Sequence, residues 1–278
     1  MKNNTIPKTI HYCWFGNNQK SELIKKCINS WKKMCPDYEI IEWNENNFDL
    51  SVNQYALEAY KEKKWAFVSD YVRLKIIYEY GGIYLDTDVE LLSNLDDYIN
   101  CNGFFSSEDN STISTGLGFG AIKGNKLVKQ MLDDYENLSF ILPNGKINDE
   151  ACPIRNSRSI SNILDKLENR NDICIYNNNY FYPKEYFCPI DNTTGEIIIT
   201  KKTMAIHHYD GSWLNKKDLR IKNNKRRICK IFGNRIGTKI CKVYTFPHRV
   251  SKKIKLNGFK NTIKFAIDKI RKKNNKEV

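Results

Sequence analysis

Two aspartates one residue apart, Asp86 and Asp88, follow a short apolar run at residues 83–85 of the 278-residue chain. A strand ending in Asp-x-Asp sets two carboxylates at the carboxyl edge of a parallel sheet, where open α/β sheets bind ligands. Carboxylates so close repel unless a cation lies between them, and Mg2+ or Mn2+, divalent ions that take oxygen ligands, suit the pair. Such an ion can bridge a diphosphate and neutralise a leaving nucleotide. Upstream, Asp70 and Arg73 stand three apart in a helical pattern, which puts them on one face and permits an ion pair. Downstream, His207 and His208 adjoin. On a strand they point to opposite faces, so only one should reach a bound cation.

These residues need a scaffold, and the flanking sequence supplies one. Residues 6–14 read as a buried strand closed by Gly16. Ser21 starts a helix with the apolar stripe Leu23, Cys27, Trp31 and Met34, and Pro36 stops it. Residues 38–43 are the next strand. Strand, helix and strand in succession predict a βαβ unit, hence a parallel sheet with helices on its faces. A helix over 52–63 precedes another over 65–80, with Phe67, Tyr71, Leu74 and Tyr78 on one face and Gly81-Gly82 as its C-cap. Further strands are expected at 103–107, 117–122, 173–176 and 204–209, and a helix at 125–137.

The stretch Trp65-Ala66-Phe67-Val68-Ser69-Asp70-Tyr71-Val72-Arg73, continued by Gly81-Gly82-Ile83-Tyr84-Leu85-Asp86-Thr87-Asp88, closely resembles the DxD region of glycosyltransferase family 32. That group includes yeast-type mannosyltransferases and bacterial capsule and lipopolysaccharide enzymes, and is related to the glucosylating domain of large clostridial toxins. Ile6-Pro7-Lys8-Thr9-Ile10-His11-Tyr12-Cys13-Trp14-Phe15-Gly16 is similar to the family's opening strand. Ala205-Ile206-His207-His208-Tyr209-Asp210-Gly211-Ser212-Trp213 is similar to its closing motif, so the three segments bracket residues 6–213.

The resemblance implies a GT-A fold, Rossmann-like, with a mainly parallel sheet and helices on both faces. It implies retaining transfer from a UDP-sugar, less readily a GDP-sugar. By the same carry-over Asp88 binds the metal directly, while Asp86 contacts the ribose or reaches the metal through water. Trp14 resembles the residue that stacks on uracil, and Asp70 and Arg73 match the pair that holds the donor sugar. Tyr84 is grouped with the donor-binding residues. Ser212 and Trp213 resemble residues that touch the metal or diphosphate when a closing loop folds over the donor. His208 is favoured as the third metal ligand, because the Tyr-x-Gly-Ser-Trp that follows aligns best from it. Ala151-Cys152-Pro153 departs from the Gly-Pro of many relatives, on the acceptor side. The polar segment 138–170 reads as a mobile or acceptor-facing insertion. No carboxylate stands out as the nucleophile of a double displacement, Asp149 and Glu150 being only weak candidates. A front-face substitution, with the leaving phosphate helping to deprotonate the acceptor, is preferred by analogy.

Charge divides the chain. Residues 1–213 hold 23 Lys+Arg against 29 Asp+Glu, a net of −6; residues 214–278 hold 22 against 3, a net of +19. The expectation is a GT-A domain over 1–213 and a basic helical tail over 214–278. In the tail, Ile228, Phe232, Ile236 and Ile240, then Phe259, Ile263, Ile267 and Ile270, recur at helical spacing, with Pro247 and Gly258 between the two sets. Basic amphipathic helices of this kind lie on anionic membranes. No nucleic-acid-binding motif accompanies the charge, so membrane is the expected partner and nucleic acid is not; a solvated or oligomerising helical tail is the alternative. Nine scattered cysteines without a CxxC indicate reduced thiols, and an N-terminus without signal-peptide layout leads to the expectation of a cytosolic, membrane-peripheral enzyme. A lipid-linked glycan is the expected acceptor, in surface polysaccharide synthesis. The alternatives are a toxin-like transferase acting on protein and an inactive sugar-nucleotide-binding scaffold.

Overall fold

The strand β1 (Thr9–Cys13) pairs in parallel with β2 (Glu39–Trp43) across α1 (Glu22–Met34), the βαβ unit expected from the sequence. The structure is a computed structural model, and it describes residues 5–109, 112–164, 166–170, 172–191, 193–211 and 216–257. Ser21 caps α1 by accepting from the Ile24 amide. The stripe α1 buries is Ile24, Cys27, Ile28 and Trp31; Leu23 and Met34 flank it rather than forming it. After α2 (Gln54–Lys61) comes α3 (Trp65–Tyr80), ended by Gly81 at φ 72. The four-residue spacing captured one face of α3, but Val68, Val72, Ile76 and Ile77 are buried as well. A helix apolar nearly all round is a core helix.

Then follow β3 (Gly82–Tyr84), β4 (Val89–Leu91), β5 (Gly103–Ser106), β6 (Phe119–Ala121) and α4 (Lys126–Asp133). The remainder of the first unit comprises α5 (Cys152–Ser159), α6 (Ser161–Leu164), β7 (Glu168–Arg170), β8 (Ile173–Tyr176), β9 (Asn179–Tyr182), α7 (Lys184–Phe187) and β10 (Ala205–His207). Eight strands make one sheet in the order β2-β1-β3-β6-β5-β9-β8-β7, and β4 pairs with β10 in a small second sheet.

Residues alternate across the large sheet between two cores. Ile83 and Phe104 enter the core shared with α1, while Tyr84 and Phe105 enter the one shared with α2, α3 and α4. The α/β class, with helices on both faces, therefore holds. Within the sheet three ladders are parallel and four antiparallel, because β6 runs back between β3 and β5 and a β7-β8-β9 meander extends the far edge. The parallel half is the one that carries Trp14 and Asp86.

The chain divides into two compact units, residues 1–190 with 197–213, and residues 191–196 with 214–278. In the second unit α8 (Lys216–Tyr244) is broken at Gly233, and α9 (Phe246–Asn257) carries Pro247 in its first turn, where a missing N–H costs nothing. The sequence placed the tail's division at Pro247 and Gly258, the latter outside the described residues, and missed the break at Gly233. Its second apolar set, from Phe259 to Ile270, lies outside the described residues. No helix among the described residues is long and apolar enough to cross a membrane.

Candidate functional site

The carboxyl ends of adjacent parallel strands bring the first residues together. The register pairs His11 with Tyr84, and the Leu85 amide donates to His11 O, so the chain leaves β1 at Trp14 alongside where it leaves β3 at Asp86. On α3, Asp70 and Arg73 are both buried and face this edge. Arg73 Nη2 lies 3.2 Å from Asp70 Oδ1 and 3.1 Å from Asp86 Oδ1. Its Nε donates to Ser69 O, its Nη1 donates to Cys152 Sγ, and its guanidinium stacks over the Tyr84 ring. A buried cation so held is a fixed bridge between the two carboxylates, not the solvated helix-face pair that the spacing alone would allow.

Tyr84, grouped by sequence with the donor-binding residues, is fully buried and donates its hydroxyl to Asp86 Oδ1 at 3.1 Å. It orients a carboxylate from within the core. A second support reaches Asp86 from the loop before β6. The Asp86 amide donates to Gly116 O, and a Cβ at Gly116 would stand 2.2 Å from Asp86 Oδ2. Only glycine admits the carboxylate there.

The small β4–β10 sheet closes the site from the other side. Val89 pairs with His207, and Asp88 sits in the turn just ahead of β4. His207 Nε2 lies 3.0 Å from Asp88 Oδ1, and the Asp210 amide donates to Asp88 Oδ2 at 2.8 Å. His208 goes elsewhere, with its Nε2 2.8 Å from Glu90 Oε2, itself paired with Lys26. The choice of His208 as the third ligand is thus corrected to His207. Alternation was the right premise, but His207 is the last strand residue and is the one that turns inward. Ligand atoms of Asp86, Asp88 and His207 all lie within 4.8 Å of one another.

Electrostatics mark the same group. Burial raises Asp70 to about 6, against the pull of Arg73. Burial also raises Asp86, helped by neighbouring Asp88 and opposed by Arg73. Burial works to raise Asp88 too, but His207 and the Asp210 amide outweigh it and hold the carboxyl down to about 2. For His207, burial disfavours the charge and the Asp88 carboxylate more than restores it, so its pKa is raised. Three carboxylates thus face one guanidinium and one imidazole. With His207 neutral the cluster carries a net of −2, which a divalent cation offsets. Two carboxylates and an imidazole suit Mn2+ or Mg2+, and the residues present fit the ion.

Trp14 is half-buried at the end of β1, its indole N–H donating to Asn18 O and Lys20 Nζ lying 5.3 Å over its ring. Ser212 and Trp213 lie outside the described residues. Glu150 is engaged by Arg158 and Arg155, while Asp149 is exposed. Sequence reasoning missed α5, which it read as insertion. The helix places Cys152 against Arg73 and sets Asn156, whose Nδ2 donates to Thr115 Oγ1, behind the Gly116 loop. Pro153 in its first turn was the available signal.

Residues 21–105 match the family model described as the glycosyltransferase sugar-binding region containing the DXD motif. Among curated proteins the chain is similar to inositol phosphoceramide mannosyltransferase 3 of Schizosaccharomyces pombe, 29% identical over 146 residues, covering 49% of this chain and 38% of that one. It is similar to an uncharacterized glycosyltransferase of Acanthamoeba polyphaga mimivirus, 27% identical with 64% and 73% covered. It is also similar to mannosyl phosphorylinositol ceramide synthase CSH1 of Saccharomyces cerevisiae, 28% identical with 40% and 31% covered. The chain therefore spans well under half the length of these two yeast relatives. Among solved structures, the PaToxG glycosyltransferase aligns with a TM-score of 0.45 at 18% identity, covering 58% of this chain and 70% of that one.

Proposed function

We propose that this chain, whose residues 21–105 carry the DXD-containing sugar-binding region of glycosyltransferases, is a metal-dependent retaining transferase that moves a hexose from a nucleotide-sugar to a glycan. The observation that carries this reading is the convergence of Asp86, Asp88 and His207 beside the buried Asp70–Arg73 pair. Asp88 and His207 would hold the cation with Asp86, and the bound ion would supply charge neutralisation for the diphosphate as it leaves. The chain's own residues do the rest. Arg73 locks Asp70 and Asp86 in one orientation. Asp70, with its carboxyl poised near neutrality, is fit to take a hydrogen bond from a sugar hydroxyl, and Trp14 offers an aromatic face to the base.

The donor reading is a UDP-sugar, which rests on the likeness of Trp14 to a uracil-stacking residue. The names of two relatives, inositol phosphoceramide mannosyltransferase 3 and mannosyl phosphorylinositol ceramide synthase CSH1, favour a second reading, in which the sugar is mannose and the donor is the GDP-sugar that the resemblance also allows. The acceptor reading is a lipid-linked glycan at the inner face of the cell membrane, in surface polysaccharide assembly. A thermal-shift screen of UDP- and GDP-sugars with and without Mn2+ tests donor and metal together, since ligands of the native state raise the melting temperature by mass action. Stabilisation by a nucleotide-sugar that vanishes in EDTA supports the reading. Equal stabilisation with and without metal overturns it.

A further inference from the structure

We propose that the broken helix α8 presents an apolar tip that inserts into an anionic lipid surface, independently of the transfer site. At Gly233 the backbone adopts φ 72 and ψ 163, outside any helical conformation and in the left-handed half that favours glycine. The chain then doubles back. Asn224 Nδ2 donates to Tyr244 OH, Cys241 Sγ to Lys225 O, and the Cys229 and Cys241 sulfurs lie 3.8 Å apart. Gly237 permits the approach, since a Cβ there would meet Cys229 Cα at 2.6 Å. Cys229 and Cys241 are buried in this hairpin, so each arm has satisfied its inner face.

At the turn the side chains point the other way. Ile231 is 64% exposed, Phe232 51% and Ile236 57%. Three large apolar groups within six residues, next to a break, form a clustered exposed apolar surface, and one rimmed by charge marks an interaction site. Exposed cations surround them at Arg227, Lys230, Arg235 and Lys239. Over residues 219–257 the sequence has 13 Lys+Arg and no Asp or Glu.

The charge identifies the partner as anionic, and the apolar tip decides between anionic partners. A nucleic acid offers phosphates to the cations but no medium for isoleucine and phenylalanine beyond its stacked bases. The interface of a bilayer accepts both, with cations among the headgroups and the tip below them. Cations alone would be screened within about 3 Å at molar salt, so the part of the binding that survives salt reports the tip.

The test uses the full chain, without donor or metal, so that its outcome is independent of the transfer reading. Sedimentation is measured with phosphatidylglycerol–phosphatidylcholine vesicles and with phosphatidylcholine alone, at low and molar salt. The expected result is binding to the anionic vesicles that is weakened but retained at molar salt, with little binding to the neutral ones. The triple change Ile231→Ser, Phe232→Ser and Ile236→Ser should lower the molar-salt affinity at least about tenfold, because each apolar side chain taken out of water contributes more than that when fully buried. The same chain with Phe232→Trp should show a blue shift of the added emission on binding. The proposal is overturned if the triple variant binds like the parent at molar salt, if no blue shift appears, or if the chain binds RNA while leaving anionic vesicles in solution.

Discussion

At the residue scale the site turns on which histidine faces the carboxylates. Asp88 bonds His207, and His208 serves Glu90. His207→Ala should therefore weaken Mn2+ binding by at least about tenfold, a loss that even outer partners of metal ligands can cause. His208→Ala should leave Mn2+ affinity nearly unchanged; calorimetric titration of Mn2+ into both variants compares them directly. The pH dependence has a definite sign. Burial works against the charged His207 but the Asp88 carboxylate more than restores it, so its pKa is raised, and acid favours a protonated imidazole that must lose its proton before it can ligate. Mn2+ affinity should fall as the solution is acidified, with proton release measurable in buffers of differing ionisation enthalpy. Asp88→Asn should abolish metal-dependent turnover with the fold intact, and full turnover of the parent in EDTA would sink the metal assignment. A division of labour follows for the donor contacts. Asp70→Ala should depress turnover far more than nucleotide affinity, whereas Trp14→Ala should cost about 1 to 3 kcal/mol of nucleotide binding, the range for bases stacked on aromatic side chains. Calorimetry with the nucleotide alone separates them: equal losses would mean the roles are wrongly divided.

At the element scale, the segments with strong local signals were legible and those defined by long-range pairing were not. Ser21, Pro36 and the Gly81-Gly82 cap are local punctuation, and α1, β2 and α3 fell where they indicate. The direction of β6 depends on what it pairs with, which no window of sequence records. Helix α5 has few apolar residues and is held by Asn156, Arg155 and Cys152, so its buried face is polar and left no periodic trace. The same limit hid the role of His11. Its Nδ1 accepts from Trp43 Nε1 and its Nε2 donates to Gly81 O, which ties β1 to β2 and to the end of α3. That arrangement needs a neutral ring, and burial lowers its pKa to about 4. Above pH 6.5 both folded and unfolded chains keep it neutral, and no stability is at stake. Between 6.5 and about 4 only the unfolded chain takes the proton, so stability should fall on acidification by up to about 3 kcal/mol, at 1.36 kcal/mol per unit. Urea midpoints measured across that range should show the slope, and His11→Asn should flatten it while lowering stability near neutrality.

At the scale of the whole molecule, two units of opposite charge make different demands. The first carries every described residue assigned to metal and donor, together with the acidic surplus; the second carries the cations and the exposed tip of α8. Changes in groups that are not energetically coupled add in free energy, usually to within about 0.5 kcal/mol, so additivity tests whether the two units act separately. The tip substitutions Ile231→Ser, Phe232→Ser and Ile236→Ser alter side chains that are already exposed, so they should cost the isolated protein little stability. They should also leave the stabilisation by Mn2+ and nucleotide unchanged. At a ligand concentration near 100 times Kd that stabilisation is about 2.7 kcal/mol, large enough for a scanning measurement to resolve a loss of a fifth. The experiment is a two-by-two comparison, parent and triple variant, each with and without metal and nucleotide. Equal ligand shifts would assign the tip to surface attachment alone. A smaller shift in the variant would mean that the basic unit helps to form the donor site, and the separation of roles drawn from charge would have to be abandoned.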